Sequence, residues 1–299
     1  MQNKINELAG TAIQAVSAAC AEYNIEIEGD RMAKIMNAEV IAPPMLELRK
    51  ERGNGQYKSV PVTSRGETGG NFDLRGCEFY KPMTLNNWRI VTVGRSKVDE
   101  RNADKTVRTL ISEGKKLGMN IEYAAGLDHK DLGTIEAYIE ECSRSDVELL
   151  MIVLPRKSSN DYSWVKKVAE LQYGVMTQCI LDKTFLGNPT KGGFSSMTAV
   201  NLLLKINTKL DGVNCRLDKV SKIQLFEKPV MIIAASLSHS MGTGPTVAAL
   251  SASIDSSGSQ YISFASLQKK THLIEGIKDL ASKALAGFYK GKGFLIFTI

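Results

Sequence analysis

The spacing of apolar residues changes character along the chain. Residues 4–23 place Ile5, Leu8, Ala9, Ala12, Ile13 and Val16 three and four apart, the stripe of an amphipathic helix. The next stretch, MAKIMNAEVIAPPML, alternates and reads as extended up to Pro43-Pro44. Proline fixes φ and lacks an amide donor, so two in a row end regular structure. From Arg49 to Gly70 the chain is rich in glycine, arginine and serine and reads as loop, leading into NFDLRGCEFYKP.

From Asn87 short apolar runs alternate with helical patterns. WRIVTVG, NIEYA, VELLMIVLP and VMTQCI have strand length, and DKTVRTLISEGKKLGM, TIEAYIEECSR, YSWVKKVAELQY and SMTAVNLLLKINTKL have helical periodicity. VELLMIVLP is continuously apolar, as in a strand covered on both faces. The alternation predicts a parallel α/β sheet, Rossmann-like in the broad sense. In such sheets ligands bind beyond the carboxyl ends of the strands, where Pro155, the loop Arg156–Asp161 and Gln178 fall. After the connector DGVNCRLDKVSKIQLFEKP, three strand patterns follow: VMIIAASLSHS, TVAALSASID and SQYISFASLQ. Small turn residues between them predict an antiparallel meander. THLIEGIKDLASKALAGFYK reads as a helix, with Leu273, Ile274, Ile277, Leu280 and Leu285 roughly on one face, and GFLIFTI as a last strand.

Composition narrows the picture modestly. The 299 residues, 43% of them hydrophobic, suffice for one large domain or two ordinary ones. A formal charge of +6 is compatible with a nucleic-acid partner without requiring one. Cys20, Cys77, Cys142, Cys179 and Cys215 are widely spaced and contain no Cys-x-x-Cys pair. Neither a disulfide framework nor a zinc site is indicated, and a reducing compartment is expected. The first twenty residues lack the basic start and apolar core of a secretory signal. No run of about 18 apolar residues marks a membrane span, so a soluble, intracellular protein is expected.

The candidate chemistry lies between Tyr162 and Lys209. Tyr162 and Lys166 are four apart on one helix pattern, Lys205 and Lys209 four apart on another, and Gln178 falls between the two. Such a donor-rich set suits a terminal phosphate, whose oxygens accept and whose charge approaches two, and a tyrosine ring gives a base a face to stack on. Read from the residues alone, separate solvent-facing lysines are the favoured reading, since three clustered ammonium groups repel unless an anion joins them. GNPTKGGFSS is no phosphate loop: its Lys191 lacks the Walker spacing, and Ser195 or Ser196 fits a helix cap. SMGTGPT reads as a turn.

At these residues the chain resembles the Argonaute family, in its phosphate-binding middle (MID) domain. The resemblance rests on Tyr162-x-x-x-Lys166, on the triplet Thr177-Gln178-Cys179 with its glutamine twelve residues after that lysine, and on Leu202-Leu203-Leu204-Lys205-Ile206-Asn207-Thr208-Lys209. Upstream, Ala42-Pro43-Pro44-Met45-Leu46 and Asp73-Leu74-Arg75-Gly76 are similar to the second linker of that family, and the strands after residue 225 to the start of its RNase H-like PIWI domain. The resemblance implies a second-linker arm over 1–85, a Rossmann-like MID domain over 86–212, and a partial PIWI domain over 213–299 whose remainder lies outside this sequence.

The implied function is binding of the 5′-phosphorylated end of a small guide RNA in RNA-mediated silencing. Tyr162, Lys166, Gln178, Lys205 and Lys209 would hold the phosphate and first nucleotide, with the Tyr162 ring on the first base. Where the family commonly has asparagine, six residues after the glutamine, this chain has Thr184, whose hydroxyl reaches less far than an amide. Arg156, Lys157 and Ser158 stand in the loop that reads the first base. No cofactor is required; the resemblance admits magnesium at the guide's 5′ end. Partners would be the guide, its target RNA and silencing-complex proteins, in the cytoplasm or the nucleus, with no membrane. Slicing needs carboxylates holding two divalent ions about 4 Å apart. Ser236 stands at the position of the family's first aspartate, and a neutral hydroxyl is a poor hard-metal ligand. The position of the second aspartate falls beyond the sequence, so no catalytic residue is expected. His239 reads as structural and Asp255 as a turn residue. The rival readings are an Argonaute-like decoy or interaction fragment without a guide, and an α/β enzyme using a nucleotide through the same lysines.

Overall fold

The structure, a computed structural model, describes residues 2–25, 42–51, 55–63, 70–124, 126–219, 229–240, 242–255 and 257–292. Its contacts divide the chain into two units, Met1–Ala42 and Pro43–Ile299. The first carries the predicted amphipathic helix, α1 (Gln2–Glu22). The extended reading of residues 32–41 lies outside the described residues.

The second unit opens with a correction. The Arg49–Gly70 stretch is not all loop: β1 (Met45–Lys50) and β2 (Tyr57–Pro61) form an antiparallel pair. The cause is a small core the composition hides, Leu48 and Val60 packed with Cys77. β3 (Cys77–Glu78) also pairs with β1. Next come β4 (Thr84–Leu85), β5 (Trp88–Val93), α2 (Glu100–Lys116), β6 (Asn120–Ile121), β7 (Leu127–Lys130), α3 (Ile135–Arg144) and β8 (Leu149–Leu154). α4 (Ser159–Lys166) follows and continues as a π-helical turn over Lys167–Gln172. Then come β9 (Thr177–Leu181), α5 (Asp182–Leu186), α6 (Ser196–Lys209) and β10 (Arg216–Leu217).

The predicted parallel sheet is present, in the order β7-β5-β8-β9 with every pairing parallel. All six residues of β8 are buried, because both faces are covered. Leu149, Met151 and Val153 meet Val107 and Leu110 of α2 and Leu203 and Ile206 of α6. Leu150, Ile152 and Leu154 meet Ile135 and Ile139 of α3 with Val165 and Val168 beyond them. One predicted strand is displaced. NIEYA yields only β6, which pairs with β4 outside this sheet. The sheet's first strand is instead β7, LDHK, whose polar residues are tolerated at an edge.

Pairing also crosses the expected domain boundaries: β10 joins β1, and β4 joins β6. Asn207 pins the end of α6 to residues 81–83. It is fully buried, accepts from the Met83 amide at 2.9 Å, and donates to the Lys81 carbonyl at 3.2 Å and to Asn214 Oδ1 at 3.0 Å.

The antiparallel meander follows as predicted: β11 (Ile233–His239), β12 (Thr246–Ser253) and β13 (Tyr261–Gln268), in that order. α7 (Ile277–Lys292) packs Leu280 and Ala284 on Leu250 and Ala252. It begins later than the pattern indicated, after Gly276 at φ +71. The last predicted strand, GFLIFTI, lies outside the described residues.

Candidate functional site

β9 is an edge strand of the parallel sheet, and the candidate residues gather along it. α4 and α6 pack on opposite faces of the sheet, as their separate core layers show. Lys166, at the end of α4, donates to the Thr177 carbonyl at 3.2 Å. Lys209, at the end of α6, donates to the same carbonyl oxygen. Two cations from opposite sides of the sheet thus meet at the first residue of β9.

A residue that pattern reading passed over completes the cluster. Glu170 lies in the π-helical turn, forms an ion pair with Lys166 and accepts from Thr177 Oγ1 at 2.8 Å. Its signal was in the sequence as the Lys166–Glu170 spacing of four. Burial works to raise the Glu170 carboxyl, but the hydrogen bonds from Lys166 and Thr177 outweigh it and hold the group below its ordinary value. Burial first, and the neighbouring Lys166 charge second, lower the Lys209 ammonium to about 8. Burial pushes the Cys179 thiol up, against the pull of the two lysines.

Further along the strand a cavity of about 360 Å³ opens between the β8–α4 loop and β9, within the usual size range of small-molecule sites. Arg156, Lys157, Ser158 and Tyr162 line one side, and Cys179, Ile180 and Leu181 the other. Tyr162 is 47% exposed, with ring surface to spare. Ser158 has a structural duty as well: its hydroxyl caps α4 by accepting from the Asp161 amide at 3.2 Å. One helical turn advances about 5.4 Å and two strand residues about 6.6 Å. Tyr162 and Lys166 therefore keep step with Cys179 and Thr177. Contrary to the expectation for Gln178, that residue and the lysine cluster sit at the amino end of β9, and the cavity reaches the carboxyl end at Leu181.

The remaining candidates stand apart. Lys205 is exposed and makes no hydrogen bond or ion pair among the described residues. Thr184 is exposed on α5 and does not line the cavity. Gln178 is buried, donates from Nε2 to the Cys179 carbonyl at 2.9 Å, and keeps its Oε1 without a partner. A larger cavity of about 700 Å³ lies between residues 70–77 and helices α2 and α6, but its two cations are engaged. Arg75 pairs with Asp73 at 2.6 Å and Lys116 with Glu113 at 2.8 Å.

In the meander, Ser236 is exposed on β11 opposite Ala249. His239 Nδ1 lies 2.8 Å from Thr246 Oγ1, and its ring meets that of His272 edge-on. Asp255 is a turn residue, accepting from the amides of Ser257, Ser259 and Gln260. Among the described residues, no three His, Cys, Asp or Glu side chains group to hold a metal ion, and no helix is long and apolar enough to cross a membrane.

The chain matches the Piwi domain model over residues 149–294, a span that includes the lysine cluster, the cavity and Ser236. It is similar to protein tag-76 of Caenorhabditis elegans, 24% identical over 301 residues that cover 93% of this chain and 27% of that protein. The chain thus spans about a quarter of that relative's length. Its fold is similar to that of Kluyveromyces polysporus Argonaute solved with a guide RNA, at a TM-score of 0.71 and 17% identity, over 96% of this chain and 34% of that one. It is also similar to the MID-PIWI domains of the N. crassa QDE-2 Argonaute, at a TM-score of 0.58 and 20% identity, over 72% and 61% of the two chains. The Piwi-domain match takes in β8 and β9 of the parallel sheet as well as the meander and α7. It takes in just under half of this chain, and over most of its length the chain shares the fold of Argonaute MID–PIWI lobes.

Proposed function

We propose that the chain binds the 5′-phosphorylated end of a small guide RNA and serves RNA-mediated silencing without cleaving the target itself. The observation that carries this reading is the meeting of Lys166 and Lys209 at the Thr177 carbonyl, beside the cavity that Tyr162 lines. Two ammonium groups brought this close repel. Glu170 answers one of the two charges, the cluster stays net positive, and a terminal phosphate offers both the charge and several acceptor oxygens. The Tyr162 ring then provides the stacking face for the first base, with Arg156 and Lys157 at the rim. Lys205 lies one helical turn before Lys209 on α6, free to join a phosphate oxygen. The unpartnered Gln178 Oε1 fits an amide that turns once a ligand is seated.

Support from relatives is of the same kind: one similar structure is an Argonaute with a guide RNA, another an Argonaute bound to a guide DNA and a target DNA. The absence of slicing rests on Ser236, a neutral hydroxyl at the family's first carboxylate position, exposed on β11.

The test is a titration of the full chain with one oligoribonucleotide carrying either a 5′-phosphate or a 5′-hydroxyl. The phosphate is expected to tighten binding at least tenfold, and Lys166→Ala or Lys209→Ala to remove most of that difference. Equal affinity for the two ends would favour a fragment that carries no guide. Preference for a free mononucleotide, with turnover, would favour a nucleotide-using enzyme.

A further inference from the structure

Glu170 presents a problem for any anion bound by this cluster. Its carboxylate already occupies Lys166 and is held from the other side by Thr177 Oγ1 at 2.8 Å. Lys166 is 19% exposed and Glu170 40%, so the pair is only partly screened by water. The carboxyl is held ionised by these contacts, with Lys209 adding a weaker pull. An incoming oxygen that reaches Lys166 must therefore compete with a resident carboxylate.

Resting on the guide-end reading above, we propose that Glu170 is a charge gate, displaced by a doubly charged terminal phosphate and not by a singly charged anion. The reasoning is Coulombic. Exchanging one monoanion for another at the same two cations returns about the energy that was lost. A dianion supplies a second charge for Lys209 and more acceptor oxygens, so the exchange becomes favourable. An internal phosphodiester carries one charge and a phosphate monoester close to two at neutral pH. The gate thus separates a chain end from the many internal phosphates of the same RNA. Without Glu170, Lys166 would attract both classes. The π-helical turn positions the gate: Glu170 sits within it, four residues after Lys166, with its carboxylate beside Thr177.

The experiment measures affinity of the full chain for one oligoribonucleotide with three ends: 5′-phosphate, 5′-(O-methyl phosphate) and 5′-hydroxyl. The methyl ester keeps the phosphorus and removes one charge. The wild type is expected to prefer the phosphate over its methyl ester at least tenfold. Glu170→Gln keeps the size of the side chain and an oxygen for Thr177 but removes its charge. It is expected to tighten binding of the methyl ester about tenfold and to change that of the phosphate less, so the ratio narrows. A thermal melt of Glu170→Gln within a few degrees of the wild type confirms the fold; if it is lower, Glu170→Met serves as the second neutral variant. An unchanged ratio, or equal weakening of all three ends, would overturn the gate and leave Glu170 as a support for Lys166. Failure of the wild type to distinguish phosphate from hydroxyl would instead remove the phosphate seat, and the gate with it.

Discussion

Lys209 links this site to pH. Its ammonium is lowered from the ordinary 10.5 to about 8, by burial first and by Lys166 second. Between those values the folded chain binds fewer protons than the unfolded one. Lys209 therefore opposes folding fully below about pH 8, and its penalty is released as pH rises from there towards 10.5. Ligand binding has the opposite sign, because an anion favours the charged amine. Affinity for a 5′-phosphate should hold below about pH 8 and fall above it, where binding must draw a proton from solution. The acid limb belongs to the ligand: a phosphate monoester loses its second charge below about pH 6. Dissociation constants measured from pH 5 to 9.5 should give a maximum between the two limbs. Lys209→Arg keeps its charge throughout and should extend the plateau upward; an alkaline limb unmoved in that variant would mean another group titrates. Sequence reading could name Lys166 and Lys209 but not their meeting point, since a backbone carbonyl such as that of Thr177 carries no sequence signature.

Helices and strands were legible wherever burial writes a continuous or periodic pattern. β8 could be read because two covered faces demand apolar residues at all six positions. β7 could not, because an edge strand admits Asp128, His129 and Lys130. β1 and β2 were hidden by the glycine and arginine between them, and the π-helical turn by having no composition of its own. The Leu-Lys-Ile-Asn-x-Lys motif shows a subtler limit. Its lysines attract notice, yet Asn207 holds the element in place, bonding the Met83 amide, the Lys81 carbonyl and Asn214. Asn207→Ala would leave the part-buried Met83 amide without its acceptor, at about 1–3 kcal/mol, whereas the Lys81 carbonyl keeps the Val213 amide at 3.1 Å. Chemical denaturation should show a loss of about 1–3 kcal/mol, with phosphate affinity falling alongside as the end of α6 loosens. Gly187 is a second pin: at φ +68, an added Cβ would lie 2.1 Å from the Gly193 carbonyl oxygen. Gly187→Ala should lower the melting temperature by several degrees while leaving every proposed phosphate contact chemically intact.

The meander extends the same argument to the chain's surface. α7 covers the face of the sheet that carries Leu250 and Ala252. Strand alternation turns Val247, Ala249, Ser251 and their neighbours to the other face. There Val247 is 38% exposed and Leu267 72%, and β11 is an edge strand among the described residues. An open edge beside an exposed apolar face is a template for association. The chain should therefore self-associate at micromolar concentration, and Val247→Lys with Leu267→Lys should reduce the scattering without lowering the melting temperature. The net charge of +6 opposes that association weakly and favours RNA instead. Salt separates the two contacts: screening strengthens apolar self-association, whereas RNA affinity should fall with a log–log slope of about −0.7 per phosphate neutralised on a single strand. If Lys166 and Lys209 share one terminal phosphate, neutralising both should flatten the slope by about one such step, whereas lysines that met separate phosphates would flatten it by about two. Comparing the double variant Lys166→Ala/Lys209→Ala with the wild type between 50 and 300 mM salt, roughly the range where such slopes are read, decides between one shared seat and two independent surface contacts.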